Sequence, residues 1–254
     1  MQAAPELEAL SAELQSSVRG VQILCEPVRG SMRLPPDEVG RRLSQRFTAM
    51  LHPTFDRGPL VWDHAMEKAL QTMEAWMKHT GVRDLLVHMD HVPRGEPDLT
   101  RLRSKLPSAT LLIENLGAGH TAGTHPEQVH SMLAESSGTR FVLDIAHWYE
   151  VSGGDGDLSP WFDDKLITSR LAAVHVSTRG LADARAKAAV SGELASASHL
   201  PAFLNPTYPE PRWKERLSEH PLICEGCLPP GEQGRQWLAE EISYLPNWRT
   251  PCHA

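Results

Sequence analysis

The chain has little of what would place it in a specialised class. Its 254 residues contain only four cysteines, Cys25, Cys224, Cys227 and Cys252, which are too scattered for a disulfide framework. Cys224 and Cys227 form a lone C-x-x-C with no second pair or histidine pair to close a zinc ribbon, so Cys224 is expected to pack in a strand–helix layer. No apolar run exceeds strand length, which argues against a membrane-spanning helix. The stretch Met1–Ser17 reads as an acidic amphipathic helix rather than a basic region followed by an apolar one. No secretory signal is recognised there, and a cytoplasmic protein is expected. Positive charge is not in excess either. The net charge of −7 argues against strong nucleic-acid binding, and Arg41-Arg42-Arg46 and Arg179–Lys187 read as solvated helix faces. The glycine-rich first turn of a nucleotide-binding open sheet is also missing.

What the chain does have is alternation. After the amphipathic stretch with Leu7, Leu10 and Leu14, strands are predicted to begin near Val21, Thr48, Asp84, Thr110, Arg140, Leu171 and Pro221. Helices are predicted between them at Asp37–Phe47, around Met66–Met77, and at Asp98–Lys105, His125–Ala134, Trp161–Ser169 and Arg212–Glu219, with a last one at Glu232–Tyr244. Met66, Ala69, Leu70, Met73, Trp76 and Met77 keep the 3.6-residue period, and Gly81 follows as a stop. Leu111-Leu112-Ile113 is continuously apolar, as parallel strands covered on both faces are. This pattern predicts one α/β domain over residues 1–254, a TIM-like (β/α) barrel. Only seven strands are counted, with the first strand of the usual eight missing. The gap is expected to be covered by the N-terminal helix or by a second copy of the chain.

Five of the strand-like runs end on side chains of metal-ligand type: His88, Glu114, Asp144, His175 and Glu225. Strand alternation puts His88 on the face of Leu86, Glu114 on that of Leu112, Asp144 on that of Val142 and Glu225 on that of Ile223. In a barrel the strand ends converge at one mouth, and a ring of buried carboxylates would repel itself without a cation. Carboxylates mixed with imidazole suit a hard or borderline divalent ion: Mn, Fe, Zn, Co or Mg. Asp144-Ile145-Ala146-His147 supplies a second imidazole one step further on.

The strings Leu112-Ile113-Glu114-Asn115, Val142-Leu143-Asp144-Ile145-Ala146-His147, Val174-His175-Val176-Ser177 and Ile223-Cys224-Glu225-Gly226 resemble the xylose-isomerase-like TIM-barrel superfamily. That group includes sugar isomerases and epimerases, endonuclease IV and multinuclear non-haem iron oxidative enzymes. The resemblance implies a metal held by Glu114, Asp144, His175 and Glu225. It also implies that Glu114 and Glu225 act as acid and base, with His147 near a substrate hydroxyl. His88 and His147 match further histidine ligands of endonuclease IV, and His199 matches another. Ala197 stands where that family has an aspartate, which weakens the match.

The favoured function is a metal-dependent isomerase or epimerase of a small polyhydroxy carbonyl compound. His88, His147, Arg179 and His199 are its substrate contacts, and Mn, Fe, Zn or Co its metal. The alternatives are an endonuclease IV-like hydrolase or lyase, an iron-dependent oxidase of a peptide or small molecule, and a non-catalytic barrel that binds a partner. The stretch 178–211 is expected to form a partly helical lid that returns His199 to the site.

Overall fold

A computed structural model describes residues 20–28, 31–55, 58–179 and 199–249. The predicted N-terminal helix lies outside these residues, as does the body of the predicted lid between Arg179 and His199. The chain divides into two compact units, the first running to Ile113 with Glu135–Thr139, the second comprising Glu114–Ala134 and Arg140 onward.

In the first unit, strand β1 (Gly20–Val28) pairs antiparallel with β2 (Ser31–Arg33), Glu26 facing Arg33. On its other side β1 runs parallel to β3 (Thr48–Pro53), from Gly20 opposite Thr48 to Cys25 opposite Pro53. β3 in turn pairs with β4 (Asp84–His88). Helix α1 (Asp37–Arg46) starts after Pro36 with two acids in its first turn, which suits the positive end of the helix. Helix α2 (His64–Thr80) carries the stripe read from the sequence: Ala69, Leu70, Met73, Trp76 and Met77 are all buried. Each large member of the stripe contributes roughly 1.5–3 kcal/mol by leaving water. Asp63 caps its start by accepting from the Met66 N–H at 2.8 Å, and Gly81 ends it at φ 80°, a left-handed conformation that glycine adopts without strain. Gly40 permits the close crossing of α1 and α2, since a Cβ there would lie 2.6 Å from the Trp76 ring. Helix α3 (Glu96–Lys105) follows, and strand β5 (Thr110–Glu114) carries the division between the units.

The second unit begins at Glu114. After helix α4 (Pro126–Glu135) come β6 (Arg140–Asp144) and helix α5 (Ile145–Val151). Next are helices α6 (Ser159–Phe162) and α7 (Lys165–Arg170), then strand β7 (Leu171–Val176). Helix α8 (Pro211–Leu217), strand β8 (Leu222–Cys224) and helix α9 (Glu232–Tyr244) complete it. β6, β7 and β8 are parallel neighbours, with Asp144 opposite His175 and His175 opposite Ile223. This register brings the polar strand ends to one level. Trp161 anchors the packing behind them, stacked on Phe141 at 5.5 Å and met edge-on by Trp148 at 5.5 Å.

Three expectations are corrected here. The described residues hold eight strands, not seven. The strand missed from the sequence is β2, three residues beside Pro35-Pro36 with too little length to show a period. It exists because β1 is longer than its apolar run and offers an edge to pair with. The single helix predicted over Trp161–Ser169 is two helices. Asp164 caps the second by accepting from the N–H groups of Leu166 and Ile167, at 2.8 and 3.0 Å. Cys224 is exposed rather than packed in the layer. No helix among the described residues is long and apolar enough to cross a membrane.

Candidate metal centre

Four side chains of the second unit meet at the ends of its strands. Glu114 ends β5, Asp144 ends β6, His175 is the last residue but one of β7, and Glu225 directly follows β8. The Glu225 N–H donates to the Val176 carbonyl at 3.2 Å, which continues the ladder past the strand. The common point is His175 Nδ1, which lies 2.6 Å from Glu114 Oε1, 3.1 Å from Glu225 Oε1 and 4.0 Å from Asp144 Oδ2. One ligand atom from each of the four residues falls within 4.8 Å of all the others.

Asp144 is held with particular care. Its backbone N–H donates to Asn115 Oδ1 at 2.7 Å, and Asn115 Nδ2 donates back to its carbonyl at 2.8 Å. Asn115 is fully buried and clamps the ends of two strands together. Asp144 Oδ1 caps α5 by accepting from the His147 N–H at 2.8 Å. Among the described residues, Oδ2 has no hydrogen-bond partner, although it is completely buried. It faces three imidazole nitrogens at 3.6–4.0 Å, those of His147, His175 and His199.

The electrostatics follow from this crowding. Burial works to raise the Glu225 carboxyl, but His175 outweighs it and holds the group down to about 2. Burial opposes a charge on His175, yet Glu114 and Glu225 push its pKa well above the ordinary imidazole value. Asp144 goes the other way, raised chiefly by burial with only partial relief from His147 and His199. In this arrangement the His175 proton stands in for a cation. Two buried carboxylates, a third that is partly buried and one imidazole form a donor set for a hard or borderline divalent ion, and the buried Asp144 Oδ2 is an oxygen available to one. The residues present fit such an ion.

The remaining predicted residues fall as follows. His147 lies beside Asp144, with its Nδ1 2.7 Å from the Asn115 carbonyl. His199 reaches the same carboxylate, and its ring meets that of His147 edge-on at 5.1 Å. The backbone bridge between Thr178 and Leu200, with both bonds at 2.8 Å, fixes where the chain returns. Arg179 forms an ion pair with Glu150, whose Oε2 also accepts from the Ala118 N–H at 3.1 Å. His88 belongs to the first unit, where its Nε2 lies 3.1 Å from His52 Nε2 and its ring stacks on His91 at 5.1 Å. His88, Asp90 and His91 there form a further group of metal-ligand type. Reasoning from the sequence missed His52, Asn115, Glu150 and Ser177. His52 carried a usable signal as the last side chain of its strand before Pro53.

No family model and no curated protein matches this sequence. Solved structures do match its fold. Endonuclease IV from Thermus thermophilus aligns over 94% of this chain and 94% of its own, with a TM-score of 0.60 and 20% identity. An L-ribulose 3-epimerase aligns over 100% and 95%, at 0.60 and 12%. A D-tagatose 3-epimerase-like protein aligns over 89% and 88%, at 0.59 and 13%. At these identities the likeness concerns the fold alone, an α/β TIM-like fold.

Proposed function

We propose that this chain is a divalent-metal-dependent isomerase or epimerase of a small polyhydroxy carbonyl compound. The observation that carries the reading is the meeting of Glu114 and Glu225, from different strands, at one nitrogen of His175, with Asp144 completing the group. A divalent cation bound there, Mn, Fe, Zn or Co, supplies polarisation of a carbonyl oxygen and its neighbouring hydroxyl. The chain's own groups then divide the remaining work. One of the two glutamates takes the proton from the carbon beside the carbonyl. A proton is returned either to the same carbon from the other face or to its neighbour. His147 has its Nδ1–H committed to the Asn115 carbonyl, which in the neutral ring leaves Nε2 as an acceptor for a substrate hydroxyl. Arg179, paired with Glu150, offers a cation to a substrate oxygen.

A metal-dependent phosphodiester hydrolase is the second reading. It is favoured by imidazoles that the isomerase reading leaves unused, namely His52, His88 and His91 in the first unit. The deciding experiment gives the Mn- or Co-loaded protein a panel of ketoses and aldoses in deuterated water and, separately, duplex DNA. Deuterium entering the substrate at the carbon beside the carbonyl supports the isomerase. Strand cleavage that needs metal, with no exchange into any sugar, supports the hydrolase and removes the first reading.

A further inference from the structure

We propose that Ser177 is a positioning residue that holds His199 with its ring proton on Nε2, so that His199 serves a substrate oxygen as a hydrogen-bond donor rather than binding a second metal ion. The substrate in question rests on the isomerase reading above; the state of the ring does not.

Ser177 lies two residues after His175, at the point where the chain leaves β7, and its side chain is fully buried. Its Oγ is 2.8 Å from His199 Nδ1, and among the described residues this is its one side-chain hydrogen bond. Two arrangements fit that distance. If Nδ1–H donated to Oγ, the hydroxyl proton would be buried with no acceptor, at a cost of about 1–3 kcal/mol. If the hydroxyl donates to Nδ1, nothing is stranded. A neutral imidazole that accepts at Nδ1 must carry its proton on Nε2. The neighbouring bridge between Thr178 and Leu200 keeps both partners in place from the backbone side.

Asp144, His147 and His199 have the residue types and spacing of a metal site. A metal-binding nitrogen needs a free lone pair, however, and in His199 the Nδ1 pair is taken by Ser177 while Nε2 bears the proton. His147 is the opposite case. Its Nδ1 faces a carbonyl, which can only accept, so in the neutral ring its Nε2 keeps the lone pair. The two rings, 5.1 Å apart and edge to face, thus present one acceptor and one donor. A substrate rich in hydroxyls needs both, because each hydroxyl gives one hydrogen bond and accepts others.

The test is long-range proton–nitrogen NMR of the full-length chain labelled at the histidine ring nitrogens, before and after zinc is added. The His199 signals are assigned by their loss in His199→Gln. The expected result is a protonated Nε2 and a hydrogen-bonded, unprotonated Nδ1, unchanged when zinc fills the carboxylate cluster. Ser177→Ala should lose that pattern and Ser177→Thr should keep it. A wild-type His199 protonated at Nδ1 would overturn the proposal, as would loss of the Nε2 proton on zinc addition or an unchanged pattern in Ser177→Ala. If no divalent ion binds, zinc included, the metal reading of the cluster fails, and the wild-type spectrum still decides the role of Ser177. The same spectrum decides it if the alanine variant does not fold.

Discussion

Replacing Glu225 by Gln in the metal-free protein separates the ion-pair account of the cluster from simple packing. Gln has nearly the same shape as Glu, so what is removed is the charge that faces His175 Nδ1 at 3.1 Å. The carboxyl is held from 4.5 down to about 2, with burial opposing and His175 prevailing. At about 1.4 kcal/mol per tenfold, that corresponds to about 3 kcal/mol of stability, to order of magnitude. The sign is fixed by the direction of each shift. A depressed carboxyl contributes fully above its unfolded value and loses its contribution as pH falls through about 2. The raised His175 contributes fully below its ordinary value of 6.5 and fades as pH rises above that. The largest difference between wild type and Glu225→Gln should therefore appear between about pH 4.5 and 6.5. Urea unfolding of chelator-treated protein at pH 6 should show the variant about 3 kcal/mol less stable, with the gap shrinking at pH 3. Equal stability at pH 6 would refute the reasoning, because His175 could not then be the proton-bearing partner of Glu225.

Other outcomes follow from single contacts. Asn115→Ala removes two buried hydrogen bonds to the Asp144 backbone, so unfolding should be easier by about 2–4 kcal/mol and calorimetric metal affinity should fall about 10–100-fold. Gly226→Ala would place a Cβ 2.4 Å from the Pro201 nitrogen, backbone that cannot swing away, so a thermal melt should show a loss of about 1–3 kcal/mol or more next to Glu225. Gly117→Ala would place its Cβ 2.1 Å from Glu150 Oε2, which can move. That change should leave the melting temperature nearly unaltered but disturb the Arg179–Glu150 ion pair, which steady-state kinetics would register as a raised KM.

The strand ends are legible because alternation makes one residue in two face the same way, and a polar residue closing an apolar run stands out. Glu114, Asp144, His175 and Glu225 stand out on that signal and by resemblance, and in the structure their donor atoms lie together. His52 is easily passed over because the apolar run stops at Leu51, whereas β3 continues to Pro53. β2 leaves no trace in the sequence, since a three-residue strand owes its existence to its partner rather than to its own period. The pairs Asn115–Asp144, Glu150–Arg179 and Ser177–His199 are separated by 22 residues or more. Periodicity has no reach over such distances. The residues that orient the site are therefore hidden, while those that compose it are not.

The central claim is that the carboxylate cluster around His175 binds one divalent ion. The most direct test is the metal content of the purified full-length chain after loading with Mn or Zn and gel filtration, measured by elemental mass spectrometry for wild type and for the Glu114→Gln/Glu225→Gln double variant. The account predicts that wild type retains one metal ion per chain more than the double variant, while the variant keeps its secondary structure. Equal metal content in a folded double variant, or none in wild type under any loading condition, would contradict it.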